Sequence, residues 1–257
     1  MKNILKILVS FLSIGVLSVG LMAQPAGAAR YDGAIQQKVT QKPQNRKQWS
    51  NVRSSVEDGI VILTGTVDLY QDKIDAARKI HKTANLQGVR NLIQVAGPSV
   101  PDQQLQQKLA EKLYYDRVGY YDAAFDYLTV AVQNGVATVG GETYNEVGRD
   151  SALALVQRMP GVKDVVDEIK VSLTSIFDDS LRLRAARAIY GDSALGKYAI
   201  DPARPVRIIV NHGNISLYGT VDSLMDKQIA GIRVNSVPGA FSVNNHLVVE
   251  DQSNSGM

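Results

Sequence analysis

The chain has 257 residues, with 28 Lys plus Arg against 25 Asp plus Glu and a formal charge of +3. Cysteine is absent, which excludes disulfides, a thiol nucleophile, cysteine-ligated zinc, iron–sulfur clusters and the modified cysteine of a lipoprotein. Three scattered histidines, His81, His212 and His246, make a histidine metal cage implausible.

The first segment has the three parts of a secretory signal. Lys2 and Lys6 start it, Ile7 to Met22 is uncharged and apolar, and Ala26-Gly27-Ala28 supplies small residues for cleavage. The apolar run is broken by Ser13, Gly15, Ser18 and Gly20 and falls short of the ~20 residues of a spanning helix. Residues 1–28 are therefore expected to be a cleaved signal peptide, with a retained anchor as the alternative. Cleavage removes two lysines and no acid, leaving +1. A charge so close to zero argues against a general nucleic-acid binder. An exported chain without cysteine depends on apolar burial for its stability.

The remaining sequence repeats itself. VRSSVEDGIVILTGTVD from Val52, LTVAVQNGVATVGGETY from Leu128 and VRIIVNHGNISLYGTVD from Val206 align on paired glycines: Gly59 and Gly65, Gly135 and Gly141, Gly213 and Gly219. In each copy, apolar residues alternate with polar ones, as half-buried strands require. Asp58-Gly59 and Asn134-Gly135 are two-residue hairpin turns, and His212-Gly213 is a weaker version. Such a turn pairs Val56 with Val61, Val132 with Ala137, and Val210 with Ile215. The second glycine of each pair marks a backbone constraint where the strand exits.

A helix is predicted next in each copy. Its apolar steps are Ala152, Leu155, Val156 and Met159 in the second copy, and Met225, Ile229 and Ile232 in the third. Gly161 and Gly239 are expected to stop these helices, with Asn85 in that role in the first copy. Asp68 and Asp222 are candidate N-caps. A closing strand follows, with Val89, Ile93 and Val95, then Val165, Ile169 and Val171, then Val243, Leu247 and Val249.

Each copy also has a leading helix. Leu105, Leu109 and Leu113 form one stripe, and Phe177, Leu181, Ala185, Ala188 and Ile189 another. The first copy offers only Ala34, Ile35 and Val39 before Pro43, which predicts a short helix. The fold class is α+β: three tandem α-β-β-α-β units, each a three-stranded sheet with two helices on one face. The divisions are 29–97, 98–174 and 175–250, followed by a disordered tail at 251–257. Units of this size bury little over ~60% of their unfolded surface, so neighbours are expected to pack together.

The pattern G-x-V-x-L-x-G-x-V, a helix, then G-V-x-x-V-x-N-x-L-x-V resembles the BON domain. The third copy carries it best, in Gly213, Ile215, Leu217, Gly219, Val221, Gly239, Val243, Asn245, Leu247 and Val249. The second copy has Asp167 where Asn is usual, and the first has Asn85 for Gly. The resemblance implies a cell-envelope setting, no catalysis, and association with phospholipid membranes, often anionic, or with envelope proteins. The family name also suggests osmotic stress.

Charge is unevenly shared, at +5 over residues 29–97, −4 over 98–174 and zero over 175–257. Lys38, Lys42, Arg46, Lys47 and Arg53 cluster around Trp49, the single tryptophan. Tryptophan favours the headgroup zone, and basic side chains favour anionic leaflets. Lys42, Arg46, Lys47, Trp49 and Arg53 are thus candidate lipid contacts. The alternative is a solvated linker whose Trp49 packs on the first unit. Tyr120 and Tyr121 join the candidates from an aromatic-rich stretch with Tyr114, Tyr115, Phe125 and Tyr127, for which loop packing is the favoured alternative. Arg182, Arg184 and Arg187 either touch phosphate or form the wet face of their helix. Asn91, Asp167 and Asn245 share one strand position and are expected to bond backbone.

No nucleophile elbow, zincin helix, phosphate loop or calcium loop occurs in the sequence. The expected protein is therefore non-enzymatic, without metal or cofactor. Its expected partner is anionic phospholipid, or alternatively envelope proteins or a cell-wall polymer, with no nucleic acid. The sequence leaves its oligomeric state open.

Overall fold

The three segments fold alike in a computed structural model of the chain, which describes residues 31–44, 46–83, 86–115, 123–173, 175–200 and 205–250. The signal segment, Asn85, Tyr120, Tyr121 and the tail at 251–257 lie outside the described residues. Unit 1 runs α1 (Asp32–Gln44), β1 (Val52–Glu57), β2 (Ile60–Val67), α2 (Tyr70–His81), β3 (Gly88–Asn91) and β4 (Gln94–Val95). Unit 2 runs α3 (Asp102–Tyr115), β5 (Tyr127–Gln133), β6 (Val136–Thr143), α4 (Glu146–Gln157) and β7 (Asp164–Val171). Unit 3 runs α5 (Ile176–Tyr190), a short α6 (Lys197–Ile200), β8 (Arg207–Asn211), β9 (Asn214–Tyr218), β10 (Thr220–Val221), α7 (Leu224–Asn235), β11 (Ser242–Asn245) and β12 (Val248–Val249).

Turn chemistry and hydrophobic period set the same register. Val56 faces Val61, Val132 faces Ala137, and Val210 faces Ile215 in antiparallel pairs. Asp58, Asn134 and His212 take φ of 49°, 54° and 50°, followed by glycines at 77°, 79° and 77°. Both turn residues are left-handed, as the type I′ hairpin demands. The hairpin's second strand is central in each unit and pairs in parallel with the closing strand after the helical crossover. The expected exit constraint is backbone contact: a Cβ on Gly141 would lie 2.1 Å from the Tyr127 carbonyl oxygen, and one on Gly65 2.0 Å from that of Asn51.

Each unit has its own core between sheet and helices. Ile35, Val39, Val61, Leu63, Ile80 and Ile93 fill the first; Leu105, Leu109, Val139, Val156 and Val162 the second; Leu181, Ile189, Ile208, Ile215, Leu217 and Leu247 the third. Several local expectations need correction. Helix α1 is 13 residues long and passes through Pro43, because Ile35 and Val39 bury one turn apart and fasten it to the sheet. The buried face of α7 is Asp226, Ala230 and Val234, whereas Met225 and Ile232 are exposed. Phe177 likewise leaves its stripe and is 44% exposed.

Asp68 and Asp222 do not cap. The N-caps of α2 and α7 are Leu69 and Ser223, and the Ser223 hydroxyl accepts from the Asp226 N–H. Asp222 instead pairs with Lys197 at 2.7 Å. Gly161 and Gly239 lie beyond helices that end at Gln157 and Asn235. With φ of 99° and 92°, they follow Pro160 and Pro238 in turns that need a left-handed second residue.

Neighbouring units also touch. Tyr70, first residue of α2, packs on the core of unit 2 and bonds Asp164; burial and this bond push its phenol up to about 12. Phe125 of unit 2 packs on the core of unit 3. Tyr127 stacks on Tyr218 with centroids 3.9 Å apart, and His246 stacks on the same Tyr218 at 5.0 Å. Two guanidiniums complete this joint, Arg182 over Tyr144 at 4.9 Å and Arg207 over Tyr114 at 5.3 Å.

Candidate functional site

The expected lipid contacts in unit 1 begin on a short 3-10 turn, Lys47–Trp49. Trp49 is 3% exposed and belongs to the core of unit 1. Its indole N–H donates to the Asp72 carbonyl at 3.0 Å. The expectation that Trp49 enters the headgroup zone is therefore corrected: the indole is consumed by packing. Arg46 and Lys79 lie over its ring at 5.4 and 5.8 Å. Arg46, Lys47 and Arg53 are exposed, and Arg53 donates to the Ser50 carbonyl at 3.1 Å. Lys42 lies on α1, and its side chain is outside what is described, as are Tyr120 and Tyr121. The structure thus places Arg46 and Lys79 over a buried tryptophan, with Lys47 and Arg53 exposed close to it in the sequence.

Of the aromatic stretch of unit 2, the described side chains Tyr114, Phe125 and Tyr127 pack in the joint with unit 3. Of the three arginines on α5, Arg182 is only 2% exposed. It pairs with Asp179 at 2.6 Å and donates to the Val210 carbonyl at 2.6 Å. Arg184 and Arg187 instead line an open cleft of about 710 Å³ at the C-terminal ends of α5 and α7, with Asp192, Arg233 and Pro238.

The recurring polar strand position behaves as expected. Asn91 donates to the Lys73 carbonyl at 2.8 Å and accepts from the Ile93 N–H at 3.2 Å. Asn245 does the same with Lys227 and Leu247, at 2.7 and 3.2 Å. Asp167 accepts from Ile169 but has no N–H to give, and Arg149 donates to it at 2.8 Å instead. Arg149 aligns with Lys73 and Lys227, so the helix in unit 2 supplies the donor that the strand lost.

Sequence reasoning missed a second recurring device. Asp32, Asp102 and Asp178, in the first turn of each leading helix, chelate the two amides of the hairpin turn. The distances are 3.0 and 2.8 Å to Asp58 and Gly59, 2.6 and 2.9 Å to Asn134 and Gly135, and 3.0 and 2.8 Å to His212 and Gly213. Consecutive N–H groups of a tight turn form a small anion-binding concavity, here filled internally. Four residues on, Gln36, Gln106 and Arg182 bond backbone of the edge strand at Ser54, Val132 and Val210. These bonds cover edges that would otherwise invite strand pairing.

Among the described residues no group of three His, Asp or Glu is placed to hold a metal ion. Among them also, no helix is long and apolar enough to cross a membrane.

A thrice-repeated helix–hairpin–helix–strand unit, with scaffold glycines at its turns, defines a tandem-module protein. The BON domain model matches residues 31–97, 101–172 and 192–251, and the chain belongs to the BON domain family. That family is generally non-enzymatic, and membership suggests an envelope or periplasmic location. No curated protein matches the chain. Among solved structures, the chain is similar to the C-terminal domain of CdsD, the structural protein of the type III secretion system of Chlamydia trachomatis. Identity is 14% over 84% of this chain and 96% of that one, with a TM-score of 0.24. The periplasmic domain of the type III secretion inner membrane protein PrgH from S. typhimurium is similar at 13% identity over 78% and 99%, with a TM-score of 0.20. Likeness at this level carries no functional conclusion.

Proposed function

We propose that this is an exported, non-enzymatic envelope protein that associates with anionic phospholipid membranes through its BON units. Family membership supports the setting. The observation that carries the lipid reading is the basic cluster of unit 1, where Arg46 and Lys79 lie over a buried Trp49 and Lys47 and Arg53 are exposed close to it in the sequence. Each such side chain contributes about 1 kcal/mol near an anionic leaflet, and the attraction fades beyond a Debye length of ~8–10 Å. Stacking Arg46 and Lys79 on a core residue lowers the entropy lost when phosphates are met. The attachment is peripheral and reversible.

The competing reading, a scaffold for envelope proteins or wall polymer, rests on the near-zero net charge and on the aromatic stretch of unit 2. Its described side chains Tyr114, Phe125 and Tyr127 are engaged with unit 3, which leaves that reading less surface. Co-sedimentation of the mature chain with phosphatidylglycerol-containing vesicles, against phosphatidylcholine alone, tests the proposal. Binding should require the anionic lipid and weaken with salt. Equal binding to both vesicles, unaffected by salt, overturns it. A dominant crosslinked protein partner in cells, unaffected by lipid composition, favours the scaffold.

A further inference from the structure

Unit 3 departs from the other two at the end of its sheet that carries the hairpin turn. In each unit the residue leading into the closing strand donates its N–H to the carbonyl of the turn glycine: Gln87 to Gly59, Lys163 to Gly135, and Phe241 to Gly213. Units 1 and 2 place a polar side chain there, while unit 3 places a phenylalanine that is 76% exposed. The residue before the turn-chelating aspartate is Tyr31, Pro101 or Phe177. Phe177 stacks on Phe241 with centroids 5.9 Å apart. Ile176 beside it is 89% exposed. Exposed apolar groups that adjoin one another mark contact surfaces.

Guanidiniums border this apolar tip. Arg184 Nη2 and the Phe177 ring both flank Gly239, at 3.3 and 3.4 Å from where a Cβ would stand. Arg184 Nε is the one buried side-chain nitrogen without a hydrogen-bond acceptor among the described residues. Leaving such a donor unsatisfied is costly. Arg184 continues into the cleft that Arg187 and Arg233 also line. The carboxylate in that lining is Asp192, which already accepts from Arg233 Nε at 2.7 Å. The cleft therefore carries more cationic than anionic side chains, next to paired rings.

We infer that the Phe177–Phe241 pair is an apolar anchor that enters the headgroup region of an anionic bilayer, with Arg184 and Arg187 meeting lipid phosphates beside it. This rests on the phospholipid reading above and adds to it a second contact, on a different unit and of a different kind. Charge complementarity selects the occupant, since Arg184, Arg187 and Arg233 face a single carboxylate, Asp192, in the cleft lining, and guanidiniums bond phosphate strongly. Patch size points the same way. A few side chains fall short of the roughly 800 Å² per partner of a standard protein interface, whereas interfacial insertion needs only a small apolar wedge with basic flanks.

The test uses the mature chain with Phe241→Gln, the residue that unit 1 carries at this position, which keeps the N–H bond to Gly213. Phe241→Leu and Arg187→Gln are made in parallel. Partitioning is measured on phosphatidylglycerol/phosphatidylcholine vesicles and on phosphatidylcholine alone, with thermal midpoints as folding controls. The expected result is about tenfold or weaker partitioning for Phe241→Gln with an unchanged midpoint, since burying one aromatic ring corresponds to at least that factor. Phe241→Leu should retain most of the binding, and Arg187→Gln should lower it on anionic vesicles with a shallower salt dependence. Wild-type binding that Phe241→Gln leaves intact overturns this inference alone. Wild-type protein that ignores anionic vesicles overturns the phospholipid reading and the anchor with it. A wild-type dimer that Phe241→Gln dissociates, with vesicle binding unchanged, makes the tip an interface between copies and also overturns the anchor.

Discussion

Replacing Asp178 by Ala removes both acceptors that hold the turn of unit 3. Its oxygens take the His212 and Gly213 N–H groups at 3.0 and 2.8 Å, and the side chain is only 5% exposed. His212 is exposed, so water can replace one bond; Gly213 is buried, and its N–H is left without a partner. A hydrogen bond to a charged group contributes ~1.5–3 kcal/mol, and an orphaned buried amide costs ~1–3 kcal/mol. The net loss should be about 3 kcal/mol. For a unit of this size that lowers the midpoint by roughly 10 °C or more. Asp32→Ala and Asp102→Ala should cost less, about 1–2 kcal/mol, because those carboxylates are half-exposed and water competes for the turn. Differential scanning calorimetry of residues 29–257 reads all three. If Asp178→Ala stays within about 0.5 kcal/mol of wild type, the chelated turn is not a stability element and the reasoning fails.

Gly141→Ala should destabilise by about 2 kcal/mol or more in urea unfolding, since its Cβ meets the Tyr127 carbonyl at 2.1 Å with φ at 103°; Gly33→Ala, with nothing within 4 Å, is the neutral control. Trp49 should emit at the blue wavelengths of a buried indole, and adding anionic vesicles should leave its maximum in place. A shift would show that the indole leaves the core to reach lipid. Burial pushes the Asp226 carboxyl up, but Lys197 at 2.9 Å and the Tyr198 hydroxyl at 2.7 Å more than offset this and hold it below the ordinary 3.8. A lowered folded value means the stability it contributes is present above the unfolded value and lost as pH falls through the folded one. Asp226→Asn should therefore lower the unfolding midpoint at pH 7, with a gap from wild type that closes in strong acid. A gap independent of pH would count against the ionised pair.

The strand pairing was legible because two independent signals agree on it, period-two alternation and turns such as Asn134-Gly135 that admit one register. The chelating aspartates were not, because each reaches across 27, 33 or 35 residues to its turn glycine. The unequal spacing hides them from an ungapped alignment, and each also reads as an ordinary acidic residue in the first turn of its helix. Apolarity misplaced the buried face of α7, since Asp226 sits there satisfied by Tyr198 and Lys197 from the connector before β8. Composition likewise suggested an interfacial role for Trp49, but whether an indole packs or inserts depends on the neighbouring fold. The basic residues beside it were visible in the sequence, and the exposed ring pair was not. Phe177 fits a core stripe by spacing, and only the Gly213 and Gly239 turns show that it stacks outside on Phe241.

Amide hydrogen exchange of residues 29–257, with and without phosphatidylglycerol vesicles, tests the membrane claim most directly because it reports where contact occurs. The account predicts added protection in two places, around Arg46 to Arg53 in unit 1 and around Ile176 to Arg187 with Gly239 to Phe241 in unit 3. Exchange that is identical in both samples, or protection confined to the joint between units 2 and 3, would contradict it.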